Sequence, residues 1–439
     1  MKVLKFGGTS VGSAQRMKHV AELITDGEKK IVVLSAMSGT TNTLVEISDY
    51  LYKKNPEGAN DIINKLEQKY KQQVAELYAT EEYRQKTWDV LNGVFELIRN
   101  YTKDLFTLFE EKVVLAQGEI MSTNMVANYL QEKGVNAVLI PALDFMRTDK
   151  NAEPDPSYIR EKLKMQLAKY PDAEIYITQG FICRNAYGEI DNLQRGGSDY
   201  SASLIGAAVD ATEIQIWTDI DGMHDNDPRV VDKTSPVRQL HFEEAAELAY
   251  FGAKILHPTC VQPAKYANIP VRLLNTMDPT APGTLISNDT EQVKIKAVAA
   301  KENITAIKIK SSRMLLAHGF LRKVFEIFES YKTSIDMVCT SEVGVSMSID
   351  NTKHLAEIIA DLKMYGTVTV DQDMCIICVV GDLTWENVGF ETRVMDALKD
   401  IPVRMISYGG SNYNISLLIK EEDKKRALQS LSDTLFNNK

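Results

Sequence analysis

Val3-Leu4-Lys5-Phe6-Gly7-Gly8-Thr9-Ser10-Val11-Gly12 is the stretch of this chain whose reading decides the fold. A strand-like run passes straight into paired glycines and small hydroxyl residues. That composition suits a loop in which backbone N–H groups approach an anion, because the missing Cβ atoms leave room for it. A helix expected over about Ala14 to Asp26 would begin there with its partial positive charge, and Lys5 adds a full one. The combination points to a nucleotide phosphate. The spacings GxxxxGK[ST] and GxGxxG are both absent, so this is neither of the two common phosphate fingerprints. Read alone, the stretch is equally an ordinary strand-to-helix turn, and the rest of the chain has to decide.

Working outward, the apolar runs Ile31 to Leu34, Ala137 to Ile140, Ile175 to Phe181, Ile214 to Trp217 and Val271 to Leu274 read as buried strands. Helical patterns separate most of them, notably Glu119 to Lys133, Ser198 to Val209 and Phe242 to Lys254. Such alternation predicts βαβ units, a mainly parallel sheet and an α/β domain whose function gathers at the carboxyl ends of the strands. Between Pro56 and Lys112, apolar residues at helical spacing (Ile62, Ile63, Leu66, Tyr70, then Trp88, Leu91, Phe95) predict a helical hairpin insertion without visible chemistry. One antiparallel element is expected in this domain, a hairpin pairing Phe181-Ile182-Cys183 with Glu189-Ile190.

Pro279, Pro282 and Gly283 break the pattern, and after Asp289 short strands alternate with helices. The domain expectation is therefore 1–289, with the insertion over 55–112, followed by 290–439. Within the second part, 304–310, 320–331, 335–340, 344–349 and 352–364 form a βαββα order that 375–380, 391–398, 403–408, 414–419 and 422–435 repeat. Two tandem α+β ferredoxin-like units of this kind form a ligand-sensing pair.

Length and composition set the outer bounds. The 439 residues allow two or three domains, each with its own core. A net charge of -10 without a basic run argues against nucleic acid and anionic membranes as partners. An anionic ligand must then be held by locally placed cations. No apolar run approaches a membrane span, and the N-terminus enters a strand without a signal-peptide pattern, so a cytoplasmic protein is expected. The five cysteines are odd in number. Cys375-Ile-Ile-Cys378 lies in a β-type run, where positions three apart face opposite sides, which favours buried structural thiols over a metal or redox pair.

Five further constellations carry chemistry. Ser35-Ala36-Met37-Ser38-Gly39-Thr40-Thr41-Asn42 follows a strand and offers donors for carboxylate or phosphate oxygens, besides a helix cap. Gln117-Gly118-Glu119-Ile120-Met121-Ser122 places an acid at an expected helix start, where it would complement the dipole or bind a substrate ammonium. Leu193-Gln194-Arg195-Gly196-Gly197-Ser198-Asp199-Tyr200 combines a guanidinium suited to a carboxylate, two glycines and an acid. Trp217-Thr218-Asp219-Ile220-Asp221-Gly222, with Asp227-Pro228-Arg229 behind it, and Phe251-Gly252-Ala253-Lys254 suit nucleotide contacts as well as turn and dipole chemistry. The six histidines are dispersed and pair with no acid at catalytic spacing. Neither a nucleophile–base dyad nor a protein-built metal cluster is visible, so the implied chemistry is positioning and charge neutralisation, as phosphoryl transfer requires.

Taken in order, KFGGTSVG, SAMSGTTN, QGEIMS, ITQGFI, QRGGSDYSA, WTDIDG, DPRVV, FGAKILHP and MLLAHGFL with TSEV resemble the aspartokinase family almost end to end, in its single-function, lysine-sensitive form without a trailing homoserine dehydrogenase. The resemblance implies an amino-acid-kinase fold followed by two ACT domains, one inserted in the other: the first over about 304–366, the second over about 290–303 plus 367–439. It implies transfer of the ATP γ-phosphoryl group to the β-carboxylate of L-aspartate, the first step toward lysine, threonine and methionine, with Mg²⁺ bridging the phosphates. Lys5, Gly7, Gly8 and Asp199 would be catalytic. Ser35, Thr41, Glu119, Arg195 and Ser198 would bind aspartate, with Glu119 and Asp199 on its ammonium and Arg195 on its α-carboxylate. Lys5, Gly8, Thr218, Asp219, His224, Arg229 and Lys254 would hold ATP. Met314, Phe320, Leu321, Asp336, Val338, Ser341 and Glu342 would form a lysine effector site, and the implied assembly is a homodimer or a dimer of dimers. The chain departs from the family pattern at His224, where relatives carry Tyr, and at Ala317 and His318, which replace a Ser and an Arg. Another amino-acid or carbamate kinase of the same fold, and a silent amino-acid sensor, are the competing readings. The acids against Arg195 favour an α-amino acid, and Lys5, Thr41 and Asp219 argue against silence.

Overall fold

A computed structural model describes residues 1–193, 196–252, 256–289, 291, 294–311 and 318–436. Its contacts divide the chain into two compact units, Met1–Met223 with Ile255–Asn288, and His224–Lys254 with Asp289–Lys439. The segment 224–254, which the sequence reading placed in the first domain, thus packs with the second unit. The Val298 N–H, for example, donates to the Asp225 carbonyl at 2.8 Å.

Chain order in the first unit is β1 (Lys2–Phe6), α1 (Ala14–Ile24), β2 (Lys30–Leu34), α2 (Thr40–Tyr52), α3 (Pro56–Leu77), α4 (Glu81–Asn100), α5 (Leu108–Glu132), β3 (Ala137–Leu139), α6 (Pro156–Ala168), β4 (Ile175–Gln179), β5 (Ile182–Arg184), β6 (Ile190–Asn192), α7 (Gly197–Ala208) and β7 (Ile214–Thr218). After β8 (Gln239–His241) and α8 (Phe242–Tyr250), both in the second unit, it resumes with α9 (Gln262–Tyr266), β9 (Val271–Asn275) and β10 (Thr284–Ser287). Its strands run β3-β4-β2-β1-β7-β9-β10. All neighbours are parallel except β9 and β10, which are antiparallel. Buried on both faces, β1, β2 and β4 carry apolar side chains on both of them, Val3-Leu4, Ile31 to Leu34 and Ile175 to Ile177, as a covered parallel sheet demands. The β5/β6 hairpin forms as expected. The β9/β10 pair is a second antiparallel element that the sequence reading missed.

The 55–112 insertion does contain a helical hairpin, α3 and α4. Ile63, Leu66, Tyr70, Val74, Leu91, Phe95 and Ile98 bury one stripe of it in the same core as Val20, Leu34 and Val126. A larger correction concerns the acid of the QGEIMS motif. Helix α5 does not start at Glu119. It starts at Leu108 behind a capping box in which the Thr107 hydroxyl and the Glu110 carboxylate close on each other's backbone, and it runs unbroken through Gly118.

In the second unit, β11 (Ile295–Lys310), α10 (Phe320–Ser330), β12 (Met337–Ser341), β13 (Gly344–Ile349), α11 (Leu355–Lys363), β14 (Thr367–Gly381), α12 (Phe390–Ala397), β15 (Met405–Ser407), β16 (Asn414–Lys420) and α13 (Lys424–Leu435) build one antiparallel sheet in the order β12-β13-β11-β14-β16-β15. The repeated βαββα order is present, but β11 and β14 are far longer than the sequence reading allowed. They pair along their whole length, with a register irregularity between Lys301 and Ala306, so a single strand pair serves both repeats. Each repeat keeps its own core, one around Val324, Met347 and Ile358, the other around Val379, Val394 and Leu428. Cys375 lies in the latter core while Cys378 points to the other face, both fully buried, and burial pushes the Cys375 thiol up to about 12. Among the described residues no three metal-ligating side chains cluster, and no helix is long and apolar enough to cross a membrane.

Candidate active site

A cavity of about 1210 Å³ opens at the carboxyl ends of β1, β2 and β4 in the first unit. That is where a parallel α/β sheet gathers its loops. Lys5, the penultimate residue of β1, is almost buried, and its Nζ lies 2.6 Å from Asp199 Oδ1 in the first turn of α7. The contact is an ion pair without a directed hydrogen bond, so Asp199 keeps acceptor capacity.

Two helices present their N-terminal turns to this cavity. Gly39, at φ +80°, caps α2, and Gly196, at φ +75°, caps α7. Gly39, Thr41, Gly196, Gly197, Ser198 and Asp199 all line the walls. Unpaired N–H groups at such turns favour anions. Helix α1, which the sequence reading assigned to the phosphate, is not one of them. Its first donors are already engaged, the Ala14 N–H by Gln73 Oε1 at 2.6 Å and the Arg16 N–H by the Ser13 hydroxyl. The Gly7 N–H donates to the Trp217 carbonyl at 3.4 Å, and Gly7 does not line the cavity. Gly8 is a wall residue. A Cβ there would lie 2.9 Å from the Ala36 carbonyl oxygen, so the glycine is what lets the β1 and β2 loops touch.

Glu119 enters from the middle of α5 rather than from a helix start. Its Oε1 accepts the Ala36 N–H at 3.2 Å, while Ser122, one turn on, donates to the Ser35 carbonyl at 2.7 Å. The same helix face therefore holds the β2 loop in place. Glu119 Oε2 has no partner although the side chain is only 3% exposed, and burial pushes the carboxyl pKa up to about 8. An orphaned buried carboxylate facing a polar cavity lacks a cation.

Lys5, Gly8, Ser35, Thr41, Glu119, Ser198 and Asp199 are thus brought together, as the sequence reading required. Arg195 and Lys254 lie outside the described residues. Thr218 and Asp219 follow β7 in the same unit but do not line this cavity. Thr218 Oγ1 instead accepts the Ile220 N–H at 3.2 Å, which is turn chemistry. In the second unit, His224 Nδ1 pairs with Thr234 Oγ1 at 2.8 Å, and the Arg229 guanidinium grips Asp227 with two hydrogen bonds of 2.8 and 2.9 Å.

Several wall residues were not anticipated: Lys112, which pairs with Asp191 at 2.7 Å, Glu153, Tyr200 and His257. Lys112 closes the stretch read as an insertion without chemistry, Glu153 sits in no motif, and Tyr200 and His257 lie in motifs quoted above without being singled out there. Phe181, also a wall residue, is held at φ +68° with its N–H on the Ser201 hydroxyl. Such a backbone is strained for an aromatic residue and persists only where its surroundings enforce it.

A cation between two loops, two open helix N-termini and an orphaned acid are the parts needed to bring two anions together around an ammonium group. The amino acid kinase family profile matches residues 1–275, and an ACT domain profile matches 377–435. Lysine-sensitive aspartokinase 3 of Escherichia coli (strain K12) is 32% identical over 99% of this chain and 99% of its own length. The chain belongs to the aspartokinase family. Aspartokinase 1, chloroplastic, of Arabidopsis thaliana is 35% identical over 99% of this chain and 80% of that protein. The crystal structure of E. coli aspartokinase III with aspartate and ADP, described as the R-state, gives a TM-score of 0.85 at 32% identity, covering 99% of this chain and 100% of the other. The complex of that enzyme with lysine and aspartate, described as the T-state, gives 0.82 at 33%, covering 99% of each chain.

Of the residues that an aspartokinase effector site would use, Met314 lies outside the described residues. Phe320 and Leu321 open α10, Val338 and Ser341 lie on β12, and Glu342 follows in the turn to β13. Asp336 is not free. Its Oδ1 accepts from Lys301 Nζ and from the Tyr250 hydroxyl, each at 2.8 Å, and its other oxygen is buried without a partner.

Proposed function

We propose that this aspartokinase transfers the γ-phosphoryl group of ATP to the β-carboxylate of L-aspartate in the cytoplasm, giving 4-phospho-L-aspartate and ADP, and that lysine restrains it. The observation carrying the substrate assignment is Glu119, whose unpartnered buried oxygen asks for a cation, which the α-ammonium of an amino acid provides. No general base is required, because a free carboxylate with an ordinary pKa near 4 is already ionised at neutral pH. One of its oxygens attacks the γ-phosphorus while the bond to the β-phosphate oxygen breaks.

Ser35 and Thr41 orient that carboxylate, Arg195 with Ser198 takes the α-carboxylate, and Glu119 with Asp199 takes the ammonium. Lys5, beside Gly8, neutralises charge on the transferring group. Thr218, Asp219, His224, Arg229 and Lys254 are the proposed nucleotide contacts. Mg²⁺ supplies charge neutralisation on the phosphates. The ion would arrive on ATP, with water completing its shell. An ATP-dependent hydroxamate assay across aspartate, glutamate and acetylglutamate tests the reading. Aspartate should be strongly preferred, and equal turnover of an N-acetylated acid would remove Glu119 from ammonium binding.

The regulatory proposal is that the second unit dimerises, alone or as a dimer of dimers, and that lysine binds near Phe320, Leu321, Val338, Ser341 and Glu342. Asp336 already has an internal ammonium partner in Lys301, so an effector amine must compete for it and Glu342 becomes the acid left to attract it. Glu342→Lys should therefore lose inhibition by millimolar lysine while still forming hydroxamate, since repulsion replaces attraction and a ligand shifts an equilibrium only through its differential affinity. Unchanged lysine sensitivity in the variant would exclude Glu342 from the effector site, and inhibition of the parent by threonine instead would reassign the effector.

A further inference from the structure

The helical hairpin inserted between β2 and α5 fills core on one side, yet α3 also presents a set of polar side chains to the two loops where the phosphoryl group and its acceptor meet. Lys69, Tyr70 and Gln73, at positions i, i+1 and i+4, share one side of the helix. Lys69 Nζ donates to the Ser38 carbonyl at 2.8 Å. The Tyr70 hydroxyl, fully buried, shares a hydrogen bond of 2.9 Å with Thr40 Oγ1, the first residue of α2 and the neighbour of the wall residues Gly39 and Thr41. Gln73 Oε1 accepts the Ala14 N–H at 2.6 Å, at the point where the loop containing Gly8 turns into α1. One turn further, the Glu76 carbonyl accepts from Lys18 Nζ at 2.8 Å.

The hairpin itself is braced. Phe95 of α4 meets the Tyr70 ring edge-on at 6.0 Å, and Arg99 ties Glu67 and Asn64 of α3 to α4. The two loops it holds also touch each other, since a Cβ on Gly12 would lie 3.0 Å from Ser38 Cβ.

We infer that α3 is a positioning clamp: Lys69 and Tyr70 set the acceptor loop 35–42, Gln73 sets the end of the loop that carries the wall residues Gly8 and Thr9, and their fixed spacing on one helix sets the gap across which the phosphoryl group passes. This inference rests on the kinase reading above and extends it to residues that touch neither substrate. A gap held by a rigid element is what the orientation part of catalysis needs, because small misplacements cost rate steeply.

The two ends of the clamp make separable predictions. Tyr70→Phe and Thr40→Val should each raise KM for aspartate about three- to tenfold, the worth of one neutral hydrogen bond, and the double variant should be no worse than either alone. Lys69→Met, at an exposed position that leaves the core untouched, should raise KM for aspartate severalfold without changing Tm. Gln73→Ala should act on KM for ATP instead. The clamp is wrong if these variants lower Tm while both KM values stay at the parent's, if Lys69→Met is silent, or if the effects of Tyr70→Phe and Thr40→Val simply add. The parent's acceptor preference reports separately on the kinase reading, and the pattern of KM values relative to the parent reports on the clamp for whichever carboxylic acid the parent phosphorylates.

Discussion

Replacing Lys5 by alanine is expected to lower kcat by about 10²–10³-fold, the usual cost of removing one preorganised group that stabilises transition-state charge. The ammonium sits at the end of β1 with only 11% of its side chain exposed, so its field on a nearby anion is weakly screened, and Asp199 at 2.6 Å holds it in place before substrate arrives. Charge spreads over the transferring group during the reaction, so the loss should fall mainly on kcat and less on KM for ATP. The substitution also leaves Asp199 without its cation in a largely buried position, so some loss of thermal stability accompanies it. Lys5→Met, which keeps the apolar stem, should match alanine in kcat. A variant retaining near-parental kcat would remove Lys5 from the mechanism.

Glu119→Gln is expected to separate stability from function. Burial raises the Glu119 carboxyl to about 8 from an ordinary 4.5. Between these values the folded protein binds a proton that the unfolded chain releases, so the contribution of this group to stability falls as pH rises through that window. A neutral glutamine keeps the acceptor for the Ala36 N–H and carries no such penalty. The variant should be about as stable as its parent near pH 4.5 and more stable near pH 8.5, by on the order of 4 kcal/mol at most. Function should move the other way. A hydrogen bond between charged groups is worth about 1.5–3 kcal/mol, so KM for aspartate should rise roughly 10- to 100-fold. The parent's KM for aspartate should also fall as pH rises from about 6 toward 8, because the ammonium needs the ionised acid, and the variant should lose that slope. Thermal melts at both pH values together with a pH series of KM would check this, and a variant destabilised at high pH with unchanged KM would overturn it.

Much of the site was legible because its chemistry lies in contiguous loops that follow apolar strands. Lys5 with Gly8, Ser35 with Thr41, and Ser198 with Asp199 each sit within a few residues of a strand or helix terminus, and the α/β pattern alone assigns such termini to one edge of the sheet. Glu119 was singled out as an acid for a substrate ammonium, but the helix start expected beside it is not there. Gly118 reads locally as a helix boundary, yet it stands in mid-helix because a Cβ there would come within 2.8 Å of the Ala36 side chain. The glycine serves a packing contact some eighty residues away, to which local propensity is blind.

The second unit shows the same limit. Its two βαββα repeats follow from residue patterning, whereas the length of β11 and β14 depends on which strands pair. Thr367-Val368-Thr369-Val370 is β-branched throughout and favours a strand by itself, but only its pairing with Ile307 to Lys310 makes it part of a β14 that reaches into the first repeat.

The order of elements, the mainly parallel first unit, the repeated second one and the positions able to meet a phosphate or a carboxylate were thus determined by the sequence itself, through periodicity of 2 and 3.6, glycine placement and charge. Tertiary structure alone decided which helix N-termini open onto the cavity, since α1, α2 and α7 look alike as sequence and only α1 has its first N–H taken by a residue from another helix. Tertiary structure also decided that Glu119 is orphaned, that Asp336 is engaged by Lys301, and that Lys69, Tyr70 and Gln73 reach two separate loops. Hydrogen bonding and desolvation depend on which atoms meet in space, and those partners lie between 30 and 83 residues apart along the chain.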